Sequence, residues 1–372
     1  MSEKKKILII SVSAGAGHVH AAKALEQTAK LRYPDGTFVH IDMMDYVSRT
    51  MRNSIVETYD VLVRTIPALW GYIYEKTNTD SRVKGISSLI KTVNHLHAKK
   101  FYTFLAEFAP DAIICTHSFP AQIIQQSKEK KWRDIPLYLV ITDYGIHSFW
   151  LLSEQATYFV ATNKMKWDFK HRAFVPKDVI QSGIPVSPLF FEKKSLIDLQ
   201  KKYGVLDKET VVLLLSGGQG FMKSDAVLNR LLRYSFSCPV RIIAIAGKNS
   251  RLLTALKKIA EENKNVHVQI NVIGWTEDID EYMRIADVVV TKPGGSTTSE
   301  CLALGKHMIV MNPIPGQEEH NAEYIAESGY GNIVRTETDL LYYIEEVIEK
   351  KPTHEKVGMN AADIILQTVL KK

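Results

Sequence analysis

Two short segments concentrate residues able to do chemistry. The first, SVSAGAGHVHAAKAL at residues 11–25, follows the apolar run KILIIS, so a strand leads through glycines into a helix. Glycines in that position let a backbone press against a phosphate. Yet His18 and His20 stand where a dinucleotide fingerprint carries neutral residues, and His20 takes the third glycine position of G-x-G-x-x-G. Asp42, closing FVHID, imitates the acid that binds a dinucleotide ribose. On these residues a cofactor cradle and a catalytic loop are both open.

The second segment, VVVTKPGGSTTSECLALG, sets Gly294 and Gly295 after a strand and Ser296 at the start of a helix. Free amides of a first helical turn, aided by the helix dipole, make an anion site. Ser296, Thr297 and Thr298 add hydroxyls, and Glu300, one turn further on, can accept both hydroxyls of a ribose; a plain glycine turn before a helix is the competing reading. Three more loops follow strands. PIPGQEEHN offers Gly316, Gln317, Glu318 and Asn321, polar groups of both hydrogen-bonding senses that suit a sugar or a helix cap. LLLSGGQGF brings Gly217, Gly218, Gln219 and Gly220 to a strand–helix turn, another phosphate approach. In NVIGWTEDIDEYM, Gly274 and Trp275 suit the edge of a base pocket, while Asp278 and Asp280 either hold a divalent ion or favour the dipole of the helix they head.

Such loops need a scaffold that ends many strands at one edge. Twelve apolar runs alternate with amphipathic helical stretches, six in each half: KILIIS, TFVHID, AIICT, LYLVIT, YFVAT and VIQSG, then VVLLLSG, RIIAIAG, VHVQIN, VVVTKPG, HMIVMN and GNIVR. The pattern predicts α/β architecture, two successive Rossmann-like domains with parallel sheets. At 372 residues, two domains are also the expectation from length. Pro185 and Pro188 place the boundary within 182–195, giving domains at 1–187 and 188–357 and a last helix, 358–372, long enough to return to the first domain. A helical insertion is expected at about 46–108, aromatic-rich and holding nine Lys/Arg against four Asp/Glu from 46 to 100. It reads either as a solvated cover on the sheet or as a surface for an anionic lipid interface.

Three scattered cysteines without CxxC argue against a disulfide framework or a structural zinc site. The apolar run after the basic amino terminus is too short for a signal peptide, and nothing approaches the roughly 20 apolar residues of a membrane span. The expectation is a cytoplasmic protein, free or resting on a membrane surface.

Together the glycine loop ending in His18, GGQG, GWT, KPGGSTTSE and PGQEEHN, in that order over nearly the whole chain, resemble the monogalactosyldiacylglycerol synthase and processive diacylglycerol glucosyltransferase family. These are inverting GT-B glycosyltransferases, distantly similar to the peptidoglycan N-acetylglucosaminyltransferase. The resemblance implies UDP-glucose or UDP-galactose as donor. Its diphosphate would lie at Ser296 and Thr297, its ribose at Glu300 and its hexose near Gln317 and Glu318. It further implies diacylglycerol as acceptor and no cofactor or metal; the basic aromatic segment adds the expectation of an anionic membrane surface as partner, and no nucleic acid is expected. An inverting transfer needs a base for the attacking hydroxyl, and the family places a histidine where His18 stands beside Gly17. CTHSFPA, with His117, and ITDYGIHSFW, with Asp143, His147 and Trp150, end strands on the same side. Asp143 can assist His18 or cap its strand; His147 and Trp150 can meet sugar or lipid. Ser118 replaces the family's proline after His117. Rival functions are sugar transfer to a polyprenyl-linked lipid, UDP-sugar epimerisation, and UDP-sugar sensing without turnover.

Overall fold

The computed structural model describes residues 5–13, 15–48, 52, 66–79, 99–127, 129–172, 174–217 and 223–371. Two compact units are present: Met1–Pro188 with Ile314–His320 and Met359–Lys372, and Leu189–Pro313 with Asn321–Gly358.

Among the described residues each unit is built on a six-stranded sheet in which every pairing is parallel. The first holds β1 (Lys6–Ser11), β2 (Thr37–Asp42), β3 (Ala112–Cys115), β4 (Leu137–Val140), β5 (Thr157–Val160) and β6 (Asp178–Gln181), in the order β2-β1-β3-β4-β5-β6. The second holds β7 (Thr210–Leu215), β8 (Val240–Ile245), β9 (Val268–Ile273), β10 (Val288–Thr291), β11 (His307–Val310) and β12 (Gly331–Ile333), in the order β12-β11-β10-β7-β8-β9. Every apolar run expected to be a strand is one. The central strands are apolar throughout because helices cover both faces of a parallel sheet: β3, β4, β5, β7, β8 and β10 are buried at every position.

In the first unit the helix Ala16–Arg32 buries Ala21, Ala22, Ala24, Leu25, Thr28 and Ala29. The four alanines among them let it lie close to its neighbours. One neighbour is the last helix, Ala361–Lys371, whose Ala362, Ile365, Leu366 and Val369 share a core with Ile7, Ile9, Leu25 and Phe38. Of the expected insertion, Pro67–Thr79 and Lys99–Phe108 are helices; residues 49–51, 53–65 and 80–98 lie outside the described ones.

Strand order decides where ligands can sit. It reverses direction between β1 and β3 in the first sheet and between β7 and β10 in the second. Crevices open at the carboxyl ends of such neighbouring strands. The His18 loop follows β1 and His117 follows β3, while Gly217 follows β7 and the Lys292–Gly295 turn follows β10.

Candidate functional site

The first unit gathers its chemistry at the β1/β3 crevice. Gly15, with φ 106°, turns the chain into the helix Ala16–Arg32, which lacks a side-chain cap and has no acid in its first turn. A Cβ on Gly17 would meet nothing within 4 Å, so space lies open over that turn. His18 Nδ1 lies 2.8 Å from the Thr116 carbonyl and 2.7 Å from Thr142 Oγ1. A carbonyl only accepts, so Nδ1 carries the proton and donates it, and Nε2 keeps the free lone pair. Thr116 Oγ1 donates in return to the His18 carbonyl at 2.8 Å. His18 is partly exposed by area, but protein crowds its ring closely enough that desolvation pulls its pKa down to about 4, against the help of the Thr116 carbonyl. The imidazole is therefore neutral at physiological pH.

His117 stands edge-on to His18 with ring centroids 4.6 Å apart. Its Nδ1 accepts the Phe119 amide at 3.0 Å and caps the helix Ser118–Gln125, leaving the proton on Nε2. Burial, then the neighbouring His18, holds its pKa well below the usual imidazole value. The two rings thus present opposite tautomers, one basic and one donating. Trp150, buried, backs His117 at 6.5 Å. Asp143 is partly exposed one residue beyond Thr142.

His147 is tied to backbone through both ring nitrogens. It is buried; its Nδ1 accepts the Phe149 amide at 3.1 Å and its Nε2 donates to the Tyr74 carbonyl at 2.9 Å. With Asn78 Oδ1 accepting the Ser148 amide at 3.0 Å, it pins the helix Pro67–Thr79 to this loop. Asp42 is likewise turned onto backbone, accepting the amides of Ser13 at 3.2 Å and Met44 at 2.9 Å. The ribose-binding acid of a dinucleotide fold is not left over.

The segment Ile314–His320 belongs to this unit. A Cβ on Gly316 (φ 73°) would lie 2.8 Å from the Tyr74 ring, and one on Gly71 2.7 Å from Pro315, so the loop and the helix Pro67–Thr79 meet backbone to side chain. Glu318 is buried and accepts the Ile314 amide at 3.1 Å, closing its own loop. Gln317 is the more accessible of the pair.

In the second unit the turn after β10 leads into the helix Gly295–Leu304, with no side-chain cap and no acid in the first turn. Gly294 N donates to the Lys292 carbonyl, and Thr298 N is the first amide to bond back into the helix. The amides of Gly295, Ser296 and Thr297 therefore stay available to an anion. Ser296 Oγ donates to Glu300 Oε1 at 3.2 Å. Burial raises Glu300 to about 7, against the lowering effect of that hydroxyl. Asn321, fully buried, donates to the Pro293 carbonyl at 2.9 Å and fixes the glycine turn from behind.

Gly217, at φ 76°, faces the Lys292 side chain, whose Cε would lie 3.1 Å from an added Cβ. Gly218 and Gln219 lie outside the described residues. At the ends of β8 and β9, Trp275 is half exposed with the Lys248 ammonium 4.5 Å above its ring, and Gly274 packs near Leu253. Asp280 is buried in ion pairs with Lys194 at 2.7 Å and Arg284 at 3.4 Å, whereas Asp278 is exposed at the head of its helix. Sequence reasoning passed over Thr142, Lys248 and Lys292. Each follows the end of a strand, and that position was the available signal.

A doubly wound pair of parallel sheets, an anion-ready helix at one crevice and a fixed imidazole at the other define the class: GT-B architecture. Residues 18–186 match the family model described as monogalactosyldiacylglycerol (MGDG) synthase, and residues 211–365 that of the glycosyltransferase family 28 C-terminal domain. The two matches follow one another along the chain. A protein named processive diacylglycerol beta-glucosyltransferase from Bacillus subtilis (strain 168) is 28% identical over 383 residues, covering 100% of this chain and 96% of that protein. Among solved structures, Acinetobacter baumannii MurG superposes with a TM-score of 0.61 at 15% identity, covering 99% of this chain and 100% of that one. UDP-GlcNAc 2-epimerase from Neisseria meningitidis, bound to UDP-GlcNAc, gives 0.58 at 15% identity over 99% and 100% of the two chains. These two likenesses concern the fold.

Proposed function

We propose that this chain moves a hexose from UDP-glucose or UDP-galactose to diacylglycerol, or to glycosyldiacylglycerol, with inversion and without a metal. The observation that carries the reading is the His18 imidazole, neutral, proton on Nδ1 against the Thr116 carbonyl and lone pair on Nε2. In the proposed step the acceptor hydroxyl gives its proton to Nε2 as its oxygen bonds to the anomeric carbon. The bond from that carbon to the diphosphate oxygen breaks, and its electrons leave with UDP. The open amides of Gly295, Ser296 and Thr297 receive the departing negative charge. Glu300 accepts ribose hydroxyls, the exposed Trp275 ring edges the base, and Gln317 reaches the hexose. The diacylglycerol named in the Bacillus subtilis relative, matched over the whole of this chain, supports the lipid acceptor.

A membrane surface as the workplace has its own support. On the helix Pro67–Thr79 and the residue before it, Ile66, Leu69 and Tyr72 are 48%, 41% and 59% exposed, three residues apart on one face. Lys76 continues that face, its ammonium 5.6 Å above the Tyr72 ring. Tyr74 and Asn78, on the other side, hold the helix to the protein. An apolar stripe closed by a cation suits an anionic interface at the cytoplasmic face of a membrane. Among the described residues no helix is long and apolar enough to cross one.

The deciding experiment offers labelled UDP-glucose, UDP-galactose and UDP-N-acetylglucosamine in parallel to diacylglycerol micelles and identifies the products. A β-linked glycosyldiacylglycerol that persists with a metal chelator is expected. Conversion of the donor without acceptor, or saturable UDP binding with no transfer, would replace this reading by an epimerase or a sensor.

A further inference from the structure

We infer that the second unit carries a binding site for a soluble phosphate dianion at the amino-terminal edge of its sheet, the edge opposite the glycine turn. A cavity of about 400 Å³ opens there between Asp287, just before β10, Lys306, just before β11, and residues 351–356, which follow the helix Glu337–Lys350. Its size suits a small phosphate ester.

The charges around it do not cancel. Lys194 and Arg284, on one wall, are matched by Asp280 and Glu281. Lys306, on the floor, donates to the carbonyls of Arg284 at 2.7 Å and Ala286 at 2.8 Å. Lys351 and Lys356 stand exposed at the rim. Among the described residues none of these three ammonium groups enters an ion pair with a carboxylate, and Asp287, whose carboxylate accepts the Val211 amide at 2.7 Å, is the one acid in the lining. Burial, then the charges of Lys356 and Arg284, pulls Lys306 down to about 8 despite Asp287. A half-buried ammonium facing other cations is stabilised by an anion placed among them. His307 and His354, joined at 3.0 Å, close the wall and tie residue 354 to β11. The peptide carbonyl of His354 presses on Gly305, the αL cap of the helix Gly295–Leu304. An occupant would therefore brace the far end of the helix whose first turn is anion-ready.

Isothermal titration of the full chain, already saturated with UDP, with inorganic phosphate and separately with glycerol 3-phosphate tests the site. Expected is saturable one-to-one binding of both, absent with chloride at matched ionic strength and accompanied by a rise in melting temperature. The Lys351→Glu/Lys356→Glu variant should weaken it by at least about tenfold, and Lys356→Gln should do so more mildly if the double variant folds poorly. His18→Ala should bind phosphate as the parent does, so loss of transferase activity and loss of this site are separable. Phosphate binding abolished by UDP, unchanged in Lys356→Gln and the double variant, or indistinguishable from chloride would overturn the proposal.

Discussion

The Thr116 carbonyl oxygen lies 2.8 Å from Nδ1 of His18, across 98 residues of sequence. That contact chooses the tautomer, and with it which ring nitrogen can take a proton. The Thr142 hydroxyl at 2.7 Å shares the same hydrogen and steadies the ring plane.

With His18 as the base, the acid limb of kcat/KM for the acceptor, measured at saturating donor so that Glu300 does not contribute, should show no inflection near pH 6.5 and should fall only as pH approaches 4, since desolvation has moved the imidazole there. His18→Ala should lower kcat by about 10²–10⁴-fold with UDP affinity unchanged. Stability follows the same group. The unfolded chain binds this proton more tightly between pH 6.5 and about 4, so stability should fall as pH drops through that window, and less so in the alanine variant. Parent-like turnover in His18→Ala would remove His18 from the chemistry.

Gly17→Ala separates fold from function. No protein atom opposes a Cβ there, and alanine is favoured over glycine in a helix by up to about 1 kcal/mol. The variant should melt at an equal or higher temperature and yet lose turnover, because the methyl occupies space that a substrate needs. Full activity would mean that nothing approaches the first turn at this point.

Glu300→Gln should have two opposite effects. A folded-state pKa near 7, above the ordinary carboxylate value of 4.5, means that the folded protein holds this proton more tightly, so stability declines as pH rises from 4.5 to 7. Glutamine removes that decline, and the empty protein should melt higher than the parent at pH 8. UDP should bind more weakly, because an ionised carboxylate is the better acceptor for ribose hydroxyls. For the same reason the parent's UDP affinity should rise between pH 6 and 8, measurable by calorimetry.

His147→Leu should be costly for the first unit. It leaves the Tyr74 carbonyl and the Phe149 amide without this partner, and an unsatisfied buried polar group costs about 1–3 kcal/mol. Thermal unfolding should shift down and proteolysis should reach the helix Pro67–Thr79 sooner, while UDP binding persists. An unchanged melting temperature would contradict the pinning role.

Much of the fold was legible because burial on both faces writes a parallel strand as an unbroken apolar run, as in KILIIS and VVLLLS. The glycine–serine entry to the helix Gly295–Leu304 was equally plain, since a helix start is a local matter of a few adjacent residues. The duties of Glu318 and His147 were not. Both are polar residues in loops after strands, the profile of ligand contacts, and only the tertiary structure shows that they also hold backbone, at Ile314 and at Tyr74.

The sequence by itself thus determined the two halves, the order of their strands along the chain and the residue types at the strand ends, because these follow from local periodicity and turn chemistry. Tertiary structure decided which strands became neighbours, and so which loops met. Thr116 and Thr142 reach His18 because β1, β3 and β4 lie side by side in the sheet. Hydrogen bonds between residues so far apart in the chain leave no trace in local pattern; they exist only once the sheet has brought the carboxyl ends of its strands together.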